Sequence, residues 1–168
     1  MKRRSNFFKI TVSALFAAIV FILTAMFPIG IPSTAGYIHA GDAVIYLAAC
    51  LLPTPLAVAA AAIGAGLADL LLAPIYISAT VIIKACLALA FSSKGEKILT
   101  KRNVIAPFIC VLITVIGYAV TDAVIYSSVA AGVACVLMNS VQAMGSLVIY
   151  FVLAVMLDKL GAKKLFWR

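Results

Sequence analysis

The sequence predicts an all-α integral membrane bundle of six transmembrane helices, a single domain over residues 1–168 with both termini on the cytoplasmic side. Three observations carry this expectation. First, the 168 residues are 66% hydrophobic and only 11% charged, against about half apolar and a quarter charged in an ordinary soluble domain. Second, proline, glycine and basic punctuation divides the chain into six apolar segments. Third, of the 13 Lys and Arg residues all but Lys84 fall into three clusters: Lys2, Arg3, Arg4 and Lys9; Lys94, Lys97, Lys101 and Arg102; Lys159, Lys163, Lys164 and Arg168. Basic loops beside spans mark the cytoplasmic side. The net charge of +8 therefore reads as topology and contact with the headgroups of a lipid bilayer, not as a nucleic-acid footprint. The composition also excludes a disordered chain and a disulfide-stapled module. The length leaves no room for a transporter of two full repeats or for a separate soluble catalytic domain.

The first segment covers residues 8–27 and is ended by Pro28, Gly30 and Pro32. A basic start followed by an apolar run also describes a signal peptide, but this run is longer than a typical signal core and no small-x-small cleavage site follows it; it reads as an uncleaved first span. The second covers 39–52, ended by Pro53 and Pro55. Its length reaches only ~21 Å of a ~30 Å hydrocarbon core, so it could instead merge with the third, 56–72, as one proline-kinked helix. The basic clusters decide between the two. With the N-terminus inside, the loop holding Lys94–Arg102 is inside only after an even number of crossings, which four separate helices satisfy. The fourth segment is 75–91, followed by the polar stretch 92–103; the fifth is 105–126 and the sixth 134–160. The external loops, 28–38, 73–76 and 127–133, contain no Lys or Arg.

Polar residues gather at one depth. Four charged residues lie inside apolar segments or at their ends, away from the basic clusters: Asp42, Asp69, Lys84 and Asp122. An ionised side chain in lipid is expensive unless paired or wet, so each is a candidate functional group. Asp42 opens the second helix, Asp69 and Asp122 stand about one turn before the outer ends of the third and fifth, and Lys84 is ~13 Å below the outer start of the fourth. Tyr37 and His39 lie in the first outer loop, Tyr76 and Thr80 at the top of the fourth helix, and Tyr126 ends the fifth. Asn139, Gln142 and Ser146 share one face of the sixth. The inner half is nearly all hydrocarbon. This describes a pocket open to the outside, with aromatics and a few convergent hydrogen-bonding groups suited to a small polar ring compound. Structural alternatives stand beside this reading. Asp42 could cap its helix, and Asp69 and Lys84 could form an ion pair. Asn139 and Gln142 could bond helix to helix, and the tyrosines could be interfacial anchors. With no second histidine, His39 reads as a surface or capping residue, and no metal site is expected.

Small residues repeat at four-residue spacing on the third segment (Ala60, Gly64, Ala68 and, beside them, Ala57, Ala61, Ala65) and on the first (Ala14, Ala18). Such faces allow close backbone approach, which is what holds helices together in lipid. The third is expected to pack within the bundle, and the first, at the chain's edge, is the better candidate for a partner subunit. Cys50, Cys86, Cys110 and Cys135 sit in apolar stretches and read as small buried hydrophobes. No P-loop, no H-E-x-x-H and no paired aspartyl-protease motif is present, so neither an enzyme nor a cofactor is expected.

Three motifs carry a family resemblance: Gly36-Tyr37-Ile38-His39-Ala40-Gly41-Asp42-Ala43, Gly64-Ala65-Gly66-Leu67-Ala68-Asp69-Leu70 and Ala79-Thr80-Val81-Ile82-Ile83-Lys84. In a short six-span chain they resemble the substrate-binding S components of energy-coupling factor (ECF) transporters, nearest the riboflavin- and hydroxymethylpyrimidine-type group. The resemblance implies a multi-pass subunit of the bacterial plasma membrane that binds one water-soluble vitamin or precursor at the outer face. It implies delivery inward by toppling while docked on a T component driven by two cytoplasmic ATPases. It places Ala14 and Ala18 at the T-component contact and Tyr37 and His39 in a lid. The pocket lining it implies fits Thr80, Lys84, Asp122, Asn139 and Gln142, and the outer polar cluster adds Asp69 and Tyr76. A stand-alone solute facilitator and a membrane scaffold protein are the alternatives.

Overall fold

The computed structural model describes residues 5–30 and 37–167; the expectations on Lys2, Arg3, Arg4, Pro32, Gly36 and Arg168 lie outside them. Helix α1 (Asn6–Ala25) starts where the Ser5 hydroxyl accepts the Phe8 N–H, and it ends just before Pro28. Strands β1 (Ile29–Gly30) and β2 (Tyr37–Ile38) pair antiparallel, Ile29 opposite Ile38. Helix α2 (Gly41–Leu51) and helix α3 (Thr54–Leu72) are separate, parted at Leu52 and Pro53. A 3₁₀ turn (Pro74–Tyr76) leads into α4 (Ile77–Ala90). Helices α5 (Lys101–Ile125) and α6 (Val129–Lys159) follow, then a short α7 (Ala162–Trp167).

Side-chain contacts fix the direction of each helix. Ser13 on α1 bonds the Leu56 carbonyl at the start of α3, while Thr24 further along α1 meets His39. Asp42 meets Gln142 and Cys50 meets Tyr150, so α2 and α6 run parallel. Lys84 lies level with Asp42, and Asn103 at the start of α5 lies by Tyr150. Helices α1 to α6 therefore alternate in direction along the bundle. The described basic residues other than Lys84 gather at one end, and Tyr37, Asp69 and Asp122 lie at the other.

Every residue of α2 is buried. That accounts for its length: a helix wrapped by others on all sides need not match the lipid thickness. By contrast α1, α3, α5 and α6 are each long and apolar enough to cross a membrane, and they turn Leu15, Leu71, Leu112 and Leu137 outward. A continuous apolar surface of this kind is stable only against lipid, and the protein is a multi-pass membrane protein.

Small residues set the closest approaches. A Cβ on Gly64 would stand 2.5 Å from the Ala17 carbonyl oxygen, and one on Gly132 would stand 2.4 Å from that of Ala119. The ridge Ala57, Ala60, Ala61, Ala65, Ala68 is at most 2% exposed, as expected of packing within the bundle, whereas Ala14 and Ala18 are exposed.

Several sequence expectations are corrected. The third external loop is only residues 126–128, because Ser128 caps α6 (its hydroxyl accepts the Ala131 N–H) and Gly132 lets α6 approach α5 at once. Thr100 likewise starts α5 four residues early, accepting the Asn103 N–H. Cys86 is exposed, while the other three cysteines are buried. The half of the bundle toward the basic end is not purely hydrocarbon. Tyr46, Phe91 and Tyr150 pack ring on ring there, with centroids 5.0–5.9 Å apart. Asn103 Nδ2 donates to the Ser92 and Ile98 carbonyls. Asp158, which the sequence pattern hides beside a lysine cluster, accepts the Ile98 and Leu99 N–H groups at 2.7 and 3.0 Å. The loop between α4 and α5 is thereby pinned across that end.

Candidate functional site

At the end opposite the basic clusters, one cleft is lined by Tyr37 and His39 from the first loop, Asp69 from α3, Tyr76 from the 3₁₀ turn, Thr80 from α4, Tyr118 and Asp122 from α5, and Asn139 from α6. Each residue is delivered by an element end or an inward face. Asp69 falls in the last turn of α3, and Tyr118 and Asp122 are one turn apart on α5, hence on one face.

The lining is organised as phenol–carboxylate pairs. The Tyr37 hydroxyl donates to Asp69 Oδ1 and the Tyr76 hydroxyl to Asp122 Oδ1, both at 2.5 Å. The hydroxyls of Thr80 and Tyr118 lie 2.9 Å apart, and Asn139 Nδ2 donates to the Cys135 carbonyl. Burial and the Asp69 carboxylate push the Tyr37 phenol well above its ordinary range, so it stays a donor. Asp69 Oδ2 is buried with no hydrogen-bond partner. The cavity between the walls measures about 20 Å³, little more than one water needs.

Beneath the cleft is a closed polar network. Lys84 Nζ donates to Asp42 Oδ1 at 2.7 Å, and neither side chain has any exposed surface. Gln142 Nε2 donates to Asp42 Oδ2, while Gln142 Oε1 accepts the His39 N–H at 3.1 Å. The Lys84 ammonium also sits 5.3 Å from the centroid of the Tyr118 ring, within cation–π range. His39 Nδ1 accepts the Gly41 N–H at 3.0 Å, taking over the cap that Ala40 has no side chain to provide. Nδ1 is thus an acceptor and the ring is neutral. Burial, with Lys84 nearby, pushes its pKa down to about 4.

Seven of the nine substrate-site residues expected from sequence line the cleft together: Tyr37, His39, Asp69, Tyr76, Thr80, Asp122 and Asn139. Lys84 and Gln142 lie below it, bonded to Asp42. The ion pair joins Lys84 to Asp42, not to Asp69, because α2 runs through the middle of the bundle and puts its first turn against α4. Tyr118 escaped the sequence reading; its four-residue spacing from Asp122 was the available signal. Among the described residues no group of His, Cys, Asp or Glu could hold a metal ion. Ala14 and Ala18 line a separate apolar groove with Ala59, Ile63 and Leu67 between α1 and α3.

The model of the family described as ECF-type riboflavin transporter, S component, matches residues 5–159. A solved structure described as that of the S component of a bacterial ECF transporter superposes with a TM-score of 0.70 at 15% identity, covering 93% of this chain and 98% of that one. A search of curated proteins finds no match.

Removing one member of a buried ion pair costs about 3–5 kcal/mol, because the other charge is left uncompensated. Lys84→Met should therefore lower the melting temperature in detergent sharply, and adding Asp42→Leu should restore most of it; a double variant no more stable than the single would refute the pairing. His39 has a depressed folded pKa, so its contribution to stability is complete above its usual value near 6.5 and is lost as pH falls toward about 4. The melting temperature should decline between pH 7 and pH 5, and His39→Asn, which keeps a short acceptor for Gly41, should flatten that decline.

Proposed function

Because this chain belongs to the ECF-type riboflavin transporter S component family, we propose that it is the substrate-specific subunit of an ATP-driven importer, binding a water-soluble vitamin or precursor at the extracellular face. The observation that carries this is the convergence of eight polar and aromatic side chains, from the first loop, the 3₁₀ turn and four helices, on one cleft at the end free of basic residues. The same asymmetry supports six crossings with both termini in the cytoplasm: the helices alternate in direction, and Lys94, Lys97, Lys101, Arg102, Lys159 and Lys164 share the opposite end.

The lining suits a flavin- or pyrimidine-like heterocycle. Phenol rings offer stacking faces, and carboxylate, amide and hydroxyl groups offer fixed hydrogen-bonding points. A ring compound is larger than the open centre of the cleft, so its entry requires Tyr37 and the paired strands to move outward while the Lys84–Asp42–Gln142 floor stays fixed. That division makes the first loop the lid. The other end supports dependence on partners: the Tyr46, Phe91 and Tyr150 rings and the loop pinned by Asp158 leave no path for a facilitator. The exposed Ala14 and Ala18 groove, smooth and apolar, supports docking of a helical T component, itself coupled to two cytoplasmic ATPases in a bacterial plasma membrane.

Two outcomes are expected. In a melting screen of the purified protein against water-soluble vitamins and their precursors, one compound should stabilise it by about 2.7 kcal/mol when present at about a hundred times its Kd; a flat panel would refute the receptor reading. Ala14→Leu and Ala18→Leu should abolish co-purification with the T component and leave that melting shift intact. Retained assembly in both would assign docking to another face.

A further inference from the structure

Building on the vitamin-receptor reading, and resting on it, we propose that the ligand of this cleft is an organic cation: a heterocycle bearing a quaternary nitrogen or a protonated amine. Three independent features of the site converge on this class.

The first is charge balance. The cleft and its floor hold three carboxylates, Asp42, Asp69 and Asp122, against one cation, Lys84, and Lys84 is committed to Asp42. The His39 ring is neutral, since its Nδ1 accepts the Gly41 N–H. Every other Lys and Arg of the sequence belongs to the three basic clusters, and residues 31–36 include no charged residue. Asp69 and Asp122 therefore leave the cleft and its floor with two more carboxylates than cations among the described residues. Each takes one phenol hydroxyl, and a neutral donor does not cancel a charge.

The second is an unused acceptor. Asp69 is 4% exposed, lines the cleft, and has Oδ1 engaged by Tyr37 while Oδ2 meets no donor. A buried carboxylate oxygen left without a partner is unfavourable, and the group that relieves it best is a charged donor or a cationic ring edge.

The third is the character of the walls. The Tyr76 and Tyr118 rings stand 6.4 Å apart and Tyr37 and His39 5.8 Å apart, so several electron-rich faces border one small space. Aromatic faces with nearby carboxylates are the usual means of holding an ammonium or a cationic ring. Tyr118 already demonstrates the affinity, with the Lys84 ammonium 5.3 Å from its centroid. An anionic vitamin would meet two like charges, and among the flavin- and pyrimidine-like rings that the phenol faces suit, a neutral one would leave the excess of carboxylates uncompensated where a cationic one would not.

Binding to the purified full-length protein, titrated at neutral pH by calorimetry, separates the possibilities. The probes are two cations, thiamine and pyridoxamine, and three neutral compounds, pyridoxine, 4-amino-5-hydroxymethyl-2-methylpyrimidine and riboflavin. The tightest binder should be one of the cations, with pyridoxamine ahead of pyridoxine, which differs from it only in the amine. Asp69→Asn should weaken the preferred cation by about tenfold or more without lowering the melting temperature of the ligand-free protein, and Asp122→Asn serves as the second variant if the first fails to fold. A neutral compound binding tightest, unaffected by either variant, would overturn the cation assignment and leave the receptor reading standing. Binding of no probe would remove both.

Discussion

An ammonium and a carboxylate sealed from both solvent and lipid, Lys84 and Asp42, set the terms for the rest of this bundle. Neither could remain charged there alone, so the helices that carry them must keep contact, and α2 must stay in the middle. Gln142 extends the constraint: it satisfies the second Asp42 oxygen and receives the His39 N–H. One residue thus joins α6, α2 and the backbone at the foot of the first loop. The cleft above rests on a floor whose members cannot move separately without stranding a buried polar group.

Above that floor the polar groups are only partly satisfied. Tyr37 and Tyr76 each occupy one oxygen of a carboxylate, and Asp69 Oδ2 has no partner. The two carboxylates differ in this respect: Asp42, with both oxygens bonded, gains nothing from a ligand, whereas Asp69, with one oxygen unmet at the cleft wall, does.

Helix existence was legible in the sequence because the apolar runs are interrupted by prolines and basic clusters at spacings close to a span. Depth was legible too, since counting residues from a helix end places Asp69, Asp122 and Asn139 at one level. Position around the bundle axis was not. Depth alone could not distinguish Asp69 from Asp42 as the partner of Lys84, nor reveal that Gln142 points beneath the cleft and Tyr118 into it. The short second segment looked deficient for a span; its completely buried surface shows that length matching applies only to helices that meet lipid. Asp158 was obscured by the lysines around it, although its acceptor role against the Ile98 and Leu99 N–H groups closes one end of the molecule.

The two ends together limit how a solute can cross. Below the floor the Tyr46 and Phe91 rings stack and Tyr150 meets both edge-on, and the pinned α4–α5 loop lies across that end. A channel along that line would have to part the buried Lys84–Asp42 pair and the Asn103 and Asp158 bonds to the α4–α5 loop. Reorienting the whole bundle breaks none of them. Its outer surface is apolar and carries a smooth alanine groove on α1 and α3, so on the receptor reading the work falls on moving the body in lipid. On that same reading a partner supplies the work.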